Sequence, residues 1–320
     1  MFKPRILIVE SKDFPDRAIE LLRATGELIL RDFRERGELL AELKDIDVLW
    51  VRLKHSIDRE LIIHAPKLRV IVTPTTGLNH IDLDEAEKRG VTVLSLRGET
   101  DFLKTIRATA EHTLGLTLAL LRKIPHASAH ASTGMWNRDL FKGTEIYEKT
   151  VGIVGYGRLG RIVAEYFLAM GAKVLTSDPN IASEDVDEGI QLVPFTSLLP
   201  QSDIVTIHVN FNESTRGFFS DSCFDKMKPG SFLINTSRGE LIDEGSLLRS
   251  LQSGRIAGAA LDVLAGELSE KFTMHPLFYY AQQNDNLIIT PHIGGCTREA
   301  MLKTEEFLAS HLVNYIRNIG

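Results

Sequence analysis

Cysteine is scarce in this chain of 320 residues, which contains only Cys223 and Cys296. The two lie far apart and outside any metal-ligand spacing, so the sequence predicts neither a disulfide framework nor a metal site. No stretch approaches the roughly 18 apolar residues that a membrane-spanning helix needs, and the apolar run near the N-terminus is too short for a signal peptide. We therefore expect a reducing compartment, a cytoplasmic location and no membrane partner.

A basic field is also absent, because 37 Lys and Arg residues face 43 Asp and Glu residues, which gives a net charge of −6. This balance argues against a nucleic-acid partner. Apolar residues make up 43% of the chain and charged residues 25%, as in ordinary soluble globular proteins. The length exceeds what one hydrophobic core usually serves, so two domains are expected.

Short apolar runs alternate with helical patterns through the first part of the chain. The predicted strands are residues 5–9, 27–33, 47–51, 69–73 and 91–96. The first helix is predicted to start near Asp13, with Pro15 early in its first turn, and to stop at Gly26. This alternation predicts a parallel sheet with helices on both faces.

A long helical pattern over residues 105–124 follows, and it is nearly all apolar or small after Glu111. Most of its surface is therefore expected to be covered, between domains or in a subunit interface. A second β-α series then begins, with predicted strands "TVGIVG", "AKVLTSD", "QLVPF", "DIVTIHV", "SFLINTS", "AGAALDV" and "NLIITP". The amphipathic segment at the C-terminus is predicted to be a helix that returns to the first domain.

The second series opens with "VGIVGYGRLGR", in which Gly155, Gly157 and Gly160 have the GxGxxG spacing. A strand precedes the motif and an amphipathic helix follows it, which is the context of a dinucleotide-binding turn. Gly155 would allow the tight turn, Gly157 would let the backbone approach a pyrophosphate, and Gly160 would let helix and strand pack closely. Asp178 lies 18 residues after Gly160, near the offset of a ribose-binding carboxylate. Such a carboxylate repels a 2′-phosphate, so NAD is favoured over NADP.

Three strands of the second series end in polar residues that could act together. Arg238 follows "SFLINTS", Asp262 ends "AGAALD" with Glu267 five residues on, and His292 follows "NLIITP". Ligands of open α/β sheets bind at the carboxyl ends of strands, so these side chains are expected to converge. An arginine can bind a carboxylate, a histidine can pass a proton, and a glutamate can hold the histidine's tautomer. Each residue alone is as well explained by a structural or solvated position; together they indicate reduction of a 2-keto acid.

The motifs occur in an order that resembles one known family. They are "TTGLNHIDL", "TAEHTLGLTLALLR", "VGIVGYGRLGR", "HVNFNESTRGFF", "INTSRGELIDE", "GAALDV" and "TPHIGG". Over nearly its whole length, the chain resembles the D-isomer-specific 2-hydroxyacid dehydrogenase family. The set is highly specific to that family, although no single motif is.

The resemblance implies roles for particular residues when the family pattern is carried over position by position. Arg238, Glu267 and His292 would be the catalytic residues. The residues implied to bind NAD are Gly155, Gly157, Arg158, Leu159, Gly160, Asp178, Val209, Thr236, Ser237 and Asp262, the last through the nicotinamide carboxamide. Thr76 and Gly77 would meet the substrate carboxylate through their backbone.

The resemblance also implies an α/β fold of two Rossmann-like domains with parallel sheets. A discontinuous, flavodoxin-like substrate-binding domain would comprise residues 1–102 and 296–320, and an NAD-binding Rossmann domain would comprise residues 103–295. The active site would lie in the cleft between the domains. A homodimer would form largely through the NAD-binding domains.

The predicted function is NAD(H)-dependent interconversion of a D-2-hydroxy acid and its 2-keto acid, with His292 as acid or base and Arg238 binding the substrate. A second hypothesis stays open: a non-catalytic, NAD(H)-sensing interaction protein on the same scaffold, similar to the corepressors related to this family. The sequence does not identify the substrate. Lys54 or His55 could bind a second anionic group of the substrate, or could lie in a solvated loop.

Overall fold

Two compact units make up the chain in the computed structural model, which describes residues 3–267 and 272–319. One unit comprises Met1–Thr105 and Thr297–Gly320, and the other comprises Ile106–Cys296. The chain passes from the first unit to the second after residue 105, three residues beyond the predicted boundary at 102. It returns to the first unit after residue 296, one residue beyond the predicted boundary at 295. Each unit contains its own parallel sheet and its own apolar core.

Five strands alternate with helices in the N-terminal part of the first unit. In chain order the elements are β1 (Arg5–Ile8), α1 (Asp16–Thr25), β2 (Glu27–Leu30), α2 (Arg36–Glu42), β3 (Val48–Trp50), α3 (Arg59–His64), β4 (Val70–Thr73), α4 (Leu83–Lys88), β5 (Thr92–Ser95) and α5 (Thr100–Leu103). Each strand lies within a predicted one. Strands β1, β3 and β4 are almost wholly buried, as expected for central strands of a sheet covered on both faces.

The strand order of the first sheet is β2-β1-β3-β4-β5, with every neighbouring pair parallel. This is the flavodoxin-like doubly wound order. The first helix begins at Asp16, three residues later than predicted, because Asp13 takes a left-handed backbone conformation with φ of 56°. Pro15 therefore precedes the helix as its N-terminal cap and does not lie within the first turn.

Seven strands form the sheet of the second unit in the residues that the structure describes. Its elements are α6 (Ala108–Leu121), α7 (Ile124–Ser132), β6 (Thr150–Val154), α8 (Arg158–Ala169), β7 (Lys173–Ser177), β8 (Ile190–Leu192), α9 (Phe195–Gln201), β9 (Ile204–Ile207), α10 (Asp221–Phe224), β10 (Ser231–Asn235), α11 (Glu244–Gln252), β11 (Ile256–Leu261), α12 (Pro276–Gln283) and β12 (Leu287–Ile289). All seven predicted strands of the second series are present.

The strand order of the second sheet is β12-β11-β10-β9-β6-β7-β8, again with parallel neighbours throughout. Counted from β6, this is the Rossmann order with one further strand at the β12 edge. The direction of winding reverses between β6 and β9, so the turns that follow these strands open a crevice at the carboxyl edge of the sheet. The predicted fold class, two Rossmann-like α/β domains with parallel sheets, is confirmed.

The predicted helix over residues 105–124 is shorter than expected. It ends at Leu121, Lys123 takes a left-handed conformation with φ of 51°, and α7 begins at Ile124. Pro125 explains the break, because a continuous helix would place its ring against the carbonyl of Leu121. At the start of α7 the missing N–H of proline costs nothing. Helix α7 buries none of its residues.

Helix α13 (Arg298–Ile319) completes the first unit and packs against α1. A buried ion pair joins it to the carboxyl end of β3, with Arg52 Nε 2.7 Å from Glu305 Oε1. Glu305 is 1% exposed, and burial raises the pKa of its carboxyl to about 7 although Arg52 opposes this effect. Glu10, which follows β1, adds a second carboxylate to the same cluster.

No helix among residues 3–267 and 272–319 combines the length and the apolar character needed to cross a membrane.

Candidate active site

The glycine-rich turn lies between β6 and α8, at the crevice of the second sheet. Gly155 has φ of +93°, and a Cβ added to it would lie 2.6 Å from the carbonyl oxygen of His208, which follows β9. A Cβ on Gly160 would lie 2.1 Å from the carbonyl oxygen of Gly155. A Cβ on Gly157, by contrast, would meet nothing within 4 Å. Two glycines are thus needed for the turn itself, whereas Gly157 borders open space at the start of α8.

Asp178 closes this turn on the side of β7. Its Oδ2 accepts a hydrogen bond of 2.9 Å from the backbone N–H of Tyr156, inside the glycine-rich motif. Arg158 and Leu159 form the first turn of α8, and Arg158 donates through Nη1 to the carbonyl of Ile106 at 3.2 Å. Burial lowers the pKa of the Arg158 guanidinium from its ordinary value. The turn, its helix start and the carboxylate therefore form one connected group.

Three further predicted NAD-binding residues follow β9 and β10. Val209 comes after β9 and packs against the apolar core. Ser237 donates its hydroxyl to the carbonyl of Ile207 at 2.8 Å, which ties the end of β10 to the end of β9. The hydroxyl of Thr236 lies 2.8 Å from that of Thr113 on α6. These side chains lie along the carboxyl edge, but their contacts with a cofactor stay a prediction.

Arg238 leaves β10 and turns at once into a single 3-10 turn that starts at Gly239. A Cβ on Gly239 would lie 2.0 Å from the backbone carbon of Leu264, so only glycine lets the Arg238 loop pack against the loop that follows β11. Burial lowers the pKa of the Arg238 guanidinium, and the carboxylates of Glu267 and Glu240 oppose this effect. Arg238 is half-buried, and these two carboxylates create a negative electrostatic potential at its guanidinium.

His292 and Glu267 form a direct pair in the second unit. The imidazole Nδ1 is hydrogen-bonded to Glu267 Oε1. Both side chains are partly buried, at 21% and 23% exposure, so the pair is shielded from solvent in part. Because a carboxylate can only accept, Nδ1 carries the proton and Nε2 is the second ring nitrogen, the one directed away from the pair.

The position of His292 depends on an unusual backbone conformation, with φ of +53°. Its N–H donates to the carbonyl of Asp262 at 2.8 Å, and the carboxylate of Asp262 accepts from the N–H groups of Ile293 at 2.9 Å and Gly294 at 2.7 Å. Asp262 is 1% exposed, and burial raises the pKa of its carboxyl less than the hydrogen-bond donors lower it. The role predicted for Asp262 at the nicotinamide carboxamide stays a prediction; its visible contacts hold the loop that carries His292.

Sequence reasoning missed two residues that stabilise the loop leading to Glu267. Glu244, at the start of α11, accepts from the N–H of Ala265 at 2.8 Å, and its second oxygen lies 2.9 Å from Nε2 of His275. Burial raises the pKa of the Glu244 carboxyl. The only signal in the sequence is the acidic pair that follows "RGELI", which reads as an ordinary helix start.

The three predicted substrate-binding residues lie at strand ends of the first unit. Thr76 and Gly77 follow β4, and the hydroxyl of Thr75 donates to the carbonyl of Gly77 at 2.8 Å. Lys54 follows β3 and donates its ammonium to the carbonyl of Phe33 at 2.6 Å. Their contacts with a substrate stay predictions.

No group of three or more His, Cys, Asp or Glu side chains that could hold a metal ion occurs in the part of the chain that the structure describes.

Comparison with known proteins identifies the family. Residues 114–294 match the family model for "D-isomer specific 2-hydroxyacid dehydrogenase, NAD binding domain". The chain belongs to the D-isomer-specific 2-hydroxyacid dehydrogenase family. The matched region contains β6–β12, the glycine-rich turn, Arg238, Glu267 and His292. The predicted family and the predicted NAD cofactor are confirmed at this level, whereas the roles of individual site residues stay predictions.

Relatives within the family differ in their named substrates. The D-3-phosphoglycerate dehydrogenase of Archaeoglobus fulgidus is 34% identical over 98% of this chain and 58% of its own length. The enzyme of the same name from Rattus norvegicus is 36% identical over 98% of this chain and 56% of its own length. The D-lactate dehydrogenase of Aquifex aeolicus, solved with NAD and lactic acid, is 26% identical over 98% of this chain and 96% of its own, with a TM-score of 0.84. This chain spans about half the length of the curated relatives it matches.

Proposed function

We propose that this protein is an NAD(H)-dependent oxidoreductase that interconverts a D-2-hydroxy acid and its 2-keto acid. The observation that carries the proposal is the pair of His292 Nδ1 with Glu267. The pair follows β11 and β12, and Arg238 follows the neighbouring strand β10. An acid–base pair and an arginine at adjacent strand ends, on the sheet that carries the dinucleotide turn, suit reduction of a carbonyl next to a carboxylate.

Arg238 would bind and orient the keto acid. A guanidinium can donate two parallel hydrogen bonds, one to the substrate carboxylate and one to the adjacent carbonyl oxygen. Burial strengthens such bonds because water competes less for the donors. The tight contact of Gly239 with the backbone of Leu264 would keep Arg238 and the Glu267 loop in a fixed relation.

His292 would donate a proton to the carbonyl oxygen through Nε2 in the reduction and take it back in the oxidation. Glu267 fixes the ring through Nδ1, so the second nitrogen is presented in one orientation. The proton would move between Nε2 and the oxygen on C2. Acid–base residues of this kind contribute typically about 10²–10⁴-fold to the rate.

The glycine-rich turn fits a dinucleotide. Open space at Gly157, at the start of α8, leaves room for a pyrophosphate at the positive end of that helix. Asp178, next to the turn, would bind the ribose hydroxyls, and Arg158, Leu159 and the residues after β9 and β10 would line the cleft. When bound, NADH supplies the hydride that is added to C2 of the keto acid.

The experiment that tests this proposal is NADH oxidation by the purified protein against a panel of 2-keto acids. The panel should contain glyoxylate, a bulky apolar keto acid and a phosphorylated one, with kcat/KM determined for each. Turnover of at least one member, with a product of D configuration, is expected. Tight NADH binding without turnover of any keto acid would contradict the enzyme and favour an NAD(H)-sensing protein.

The same panel of keto acids tests whether the protein binds a second anionic group of the substrate. Burial, Lys54 and Arg36 all lower the pKa of His55, so its ring offers no charge near neutral pH. Lys54 is therefore the residue we propose to contact a distal phosphate or carboxylate. Lys54→Ala should lower kcat/KM for the phosphorylated keto acid more than for glyoxylate. An unchanged preference would remove Lys54 from the substrate site.

We also propose a homodimer formed through the second unit. Large apolar side chains are exposed along residues 124–147, among them Ile124 at 51%, Met135 at 50% and Trp136 at 92%. Exposed large apolar side chains that cluster in one segment are typical of an interface. Trp136→Asp should yield a monomer in analytical ultracentrifugation, whereas Leu302→Asp, at an exposed position of α13, should not. A monomeric wild-type protein would contradict this proposal. The predicted cytoplasmic location stays a prediction.

A further inference from the structure

Asp262 accepts several hydrogen bonds from the loop that carries His292. Asp262 receives three successive backbone N–H groups, from His292 on its carbonyl and from Ile293 and Gly294 on its carboxylate. A left-handed conformation is unfavourable for a residue with a side chain and persists only where the surroundings enforce it. The three hydrogen bonds to Asp262 enforce it here. The orientation of the His292 ring therefore depends on the orientation of the Asp262 carboxylate.

Two side chains bond the Asp262 carboxylate in turn. The hydroxyl of Thr290 donates to Oδ1 at 2.6 Å, and Nε2 of His112 lies 3.1 Å from the same oxygen. Nε2 of His112 also lies 3.0 Å from the hydroxyl oxygen of Thr290. The carboxylate is held ionised, since its pKa lies below the ordinary value. It can only accept, so Nε2 of His112 carries the proton and donates it to Asp262.

His112 reaches this position from α6, a helix that contacts β10, β11 and β12. Thr109, one turn earlier, faces the same loop, because a Cβ on Gly294 would lie 3.2 Å from its methyl carbon and 2.9 Å from Oδ2 of Asp262. Thr113, one residue after His112, bonds Thr236 at the end of β10. A polar stripe on an otherwise apolar helix thus lies against the strand ends of the candidate site.

We propose that His112 is a positioning residue for His292 and acts through Asp262. Its N–H fixes the carboxylate in the orientation that receives the backbone N–H groups of Ile293 and Gly294, the two residues after His292, and so keeps the imidazole of His292 paired with Glu267. The inference rests on the proposed function for its effect on rate, but the hydrogen-bonded arrangement exists without turnover. His112 belongs neither to the predicted catalytic residues nor to the predicted cofactor contacts.

Two substitutions separate the donor from the volume of the side chain. His112→Leu removes the N–H and keeps an apolar side chain of similar reach, whereas His112→Gln retains an N–H donor in place of Nε2. Thr117→Val is the matched control, since Thr117 is a buried residue of the same helix whose hydroxyl donates to the carbonyl of Thr113 within α6. With the best keto acid, His112→Leu should lower kcat about 10-fold or more with KM changed much less, as expected for a misplaced reacting group. His112→Gln should recover most of the loss, and Thr117→Val should keep the wild-type kcat.

Amide hydrogen exchange at Ile293 and Gly294 gives a second readout that needs no activity. Exchange should accelerate in His112→Leu and stay close to the wild-type rate in His112→Gln and Thr117→Val. Wild-type exchange in His112→Leu overturns the proposal, and so does accelerated exchange with unchanged kcat. If the wild-type protein reduces no keto acid, the proposed function fails, and the exchange rates alone decide whether His112 holds the loop.

Discussion

Glu305 provides a test of the physical account, because its ion pair with Arg52 should not stabilise the protein at neutral pH. The pKa of the carboxyl is raised from 4.5 to about 7 by burial, with Glu10 adding to that effect and Arg52 opposing it. One decade in an equilibrium corresponds to about 1.4 kcal/mol. Ionised Glu305 should therefore lower the free energy of unfolding by about 3 kcal/mol at pH values above 7.

The sign follows from proton binding. Between about pH 4.5 and about pH 7 the folded protein keeps the proton that the unfolded chain releases, so this contribution to stability falls as pH rises. Glu305→Gln imitates the protonated state and should remove that fall. Arg52 is not stranded by the change, because Glu10 stays nearby and Nη1 still donates to the carbonyl of Lys12 at 3.1 Å. The variant should match the wild type near pH 5 and exceed it near pH 8.

The assay is urea denaturation at about pH 5 and about pH 8, followed by the fluorescence of Trp50, which is 1% exposed in the first unit. Trp136→Phe removes the second tryptophan, which is 92% exposed. Glu306→Gln, which removes a partly exposed carboxylate from the same helix, is the matched control and should change the midpoint little. A Glu305→Gln protein less stable than the wild type near pH 8 would show that the attraction to Arg52 outweighs burial, contrary to this prediction.

Two further predictions concern the dinucleotide turn. Gly157→Ala should fold with an unchanged melting temperature, because its Cβ meets no atom within 4 Å, yet bind NADH more weakly by titration; Gly160→Ala should lower the melting temperature, because its Cβ would lie 2.1 Å from a backbone oxygen. The opposite result, in which Gly157→Ala lowers the melting temperature and Gly160→Ala keeps it, would contradict the proposed phosphate contact. Asp178→Ser should raise kcat/KM for NADPH relative to NADH, since the carboxylate that repels a 2′-phosphate is gone. An unchanged ratio would remove Asp178 from the ribose site.

The strands were accessible to sequence reasoning because parallel strands are short, apolar and separated by helices. Every predicted strand is present, and the family match agrees with the motifs around Gly155, Arg238 and His292. Helix ends were less accessible. They depend on single residues such as Asp13 and Lys123, which take left-handed conformations that no periodic pattern signals.

The residues that hold the candidate site in place were the least accessible to sequence reasoning. His112 lies 150 positions from Asp262 in the chain, so their contact depends on how α6 crosses the sheet. A signal did exist, because Thr109, His112 and Thr113 are spaced to share one face of an otherwise apolar helix. The sequence carries no signal for the importance of Gly239. Glycine is needed there because the backbone of Leu264 lies against it, and this contact exists only in the folded protein.

The most direct test of the central proposal is the rate of NADH oxidation by the wild-type protein and by His292→Ala with the best keto acid of the panel. The wild type should form the D-2-hydroxy acid, and the variant should bind NADH normally but turn over about 10²–10⁴-fold more slowly. Turnover by His292→Ala at the wild-type rate would contradict the assignment of His292 as the proton donor.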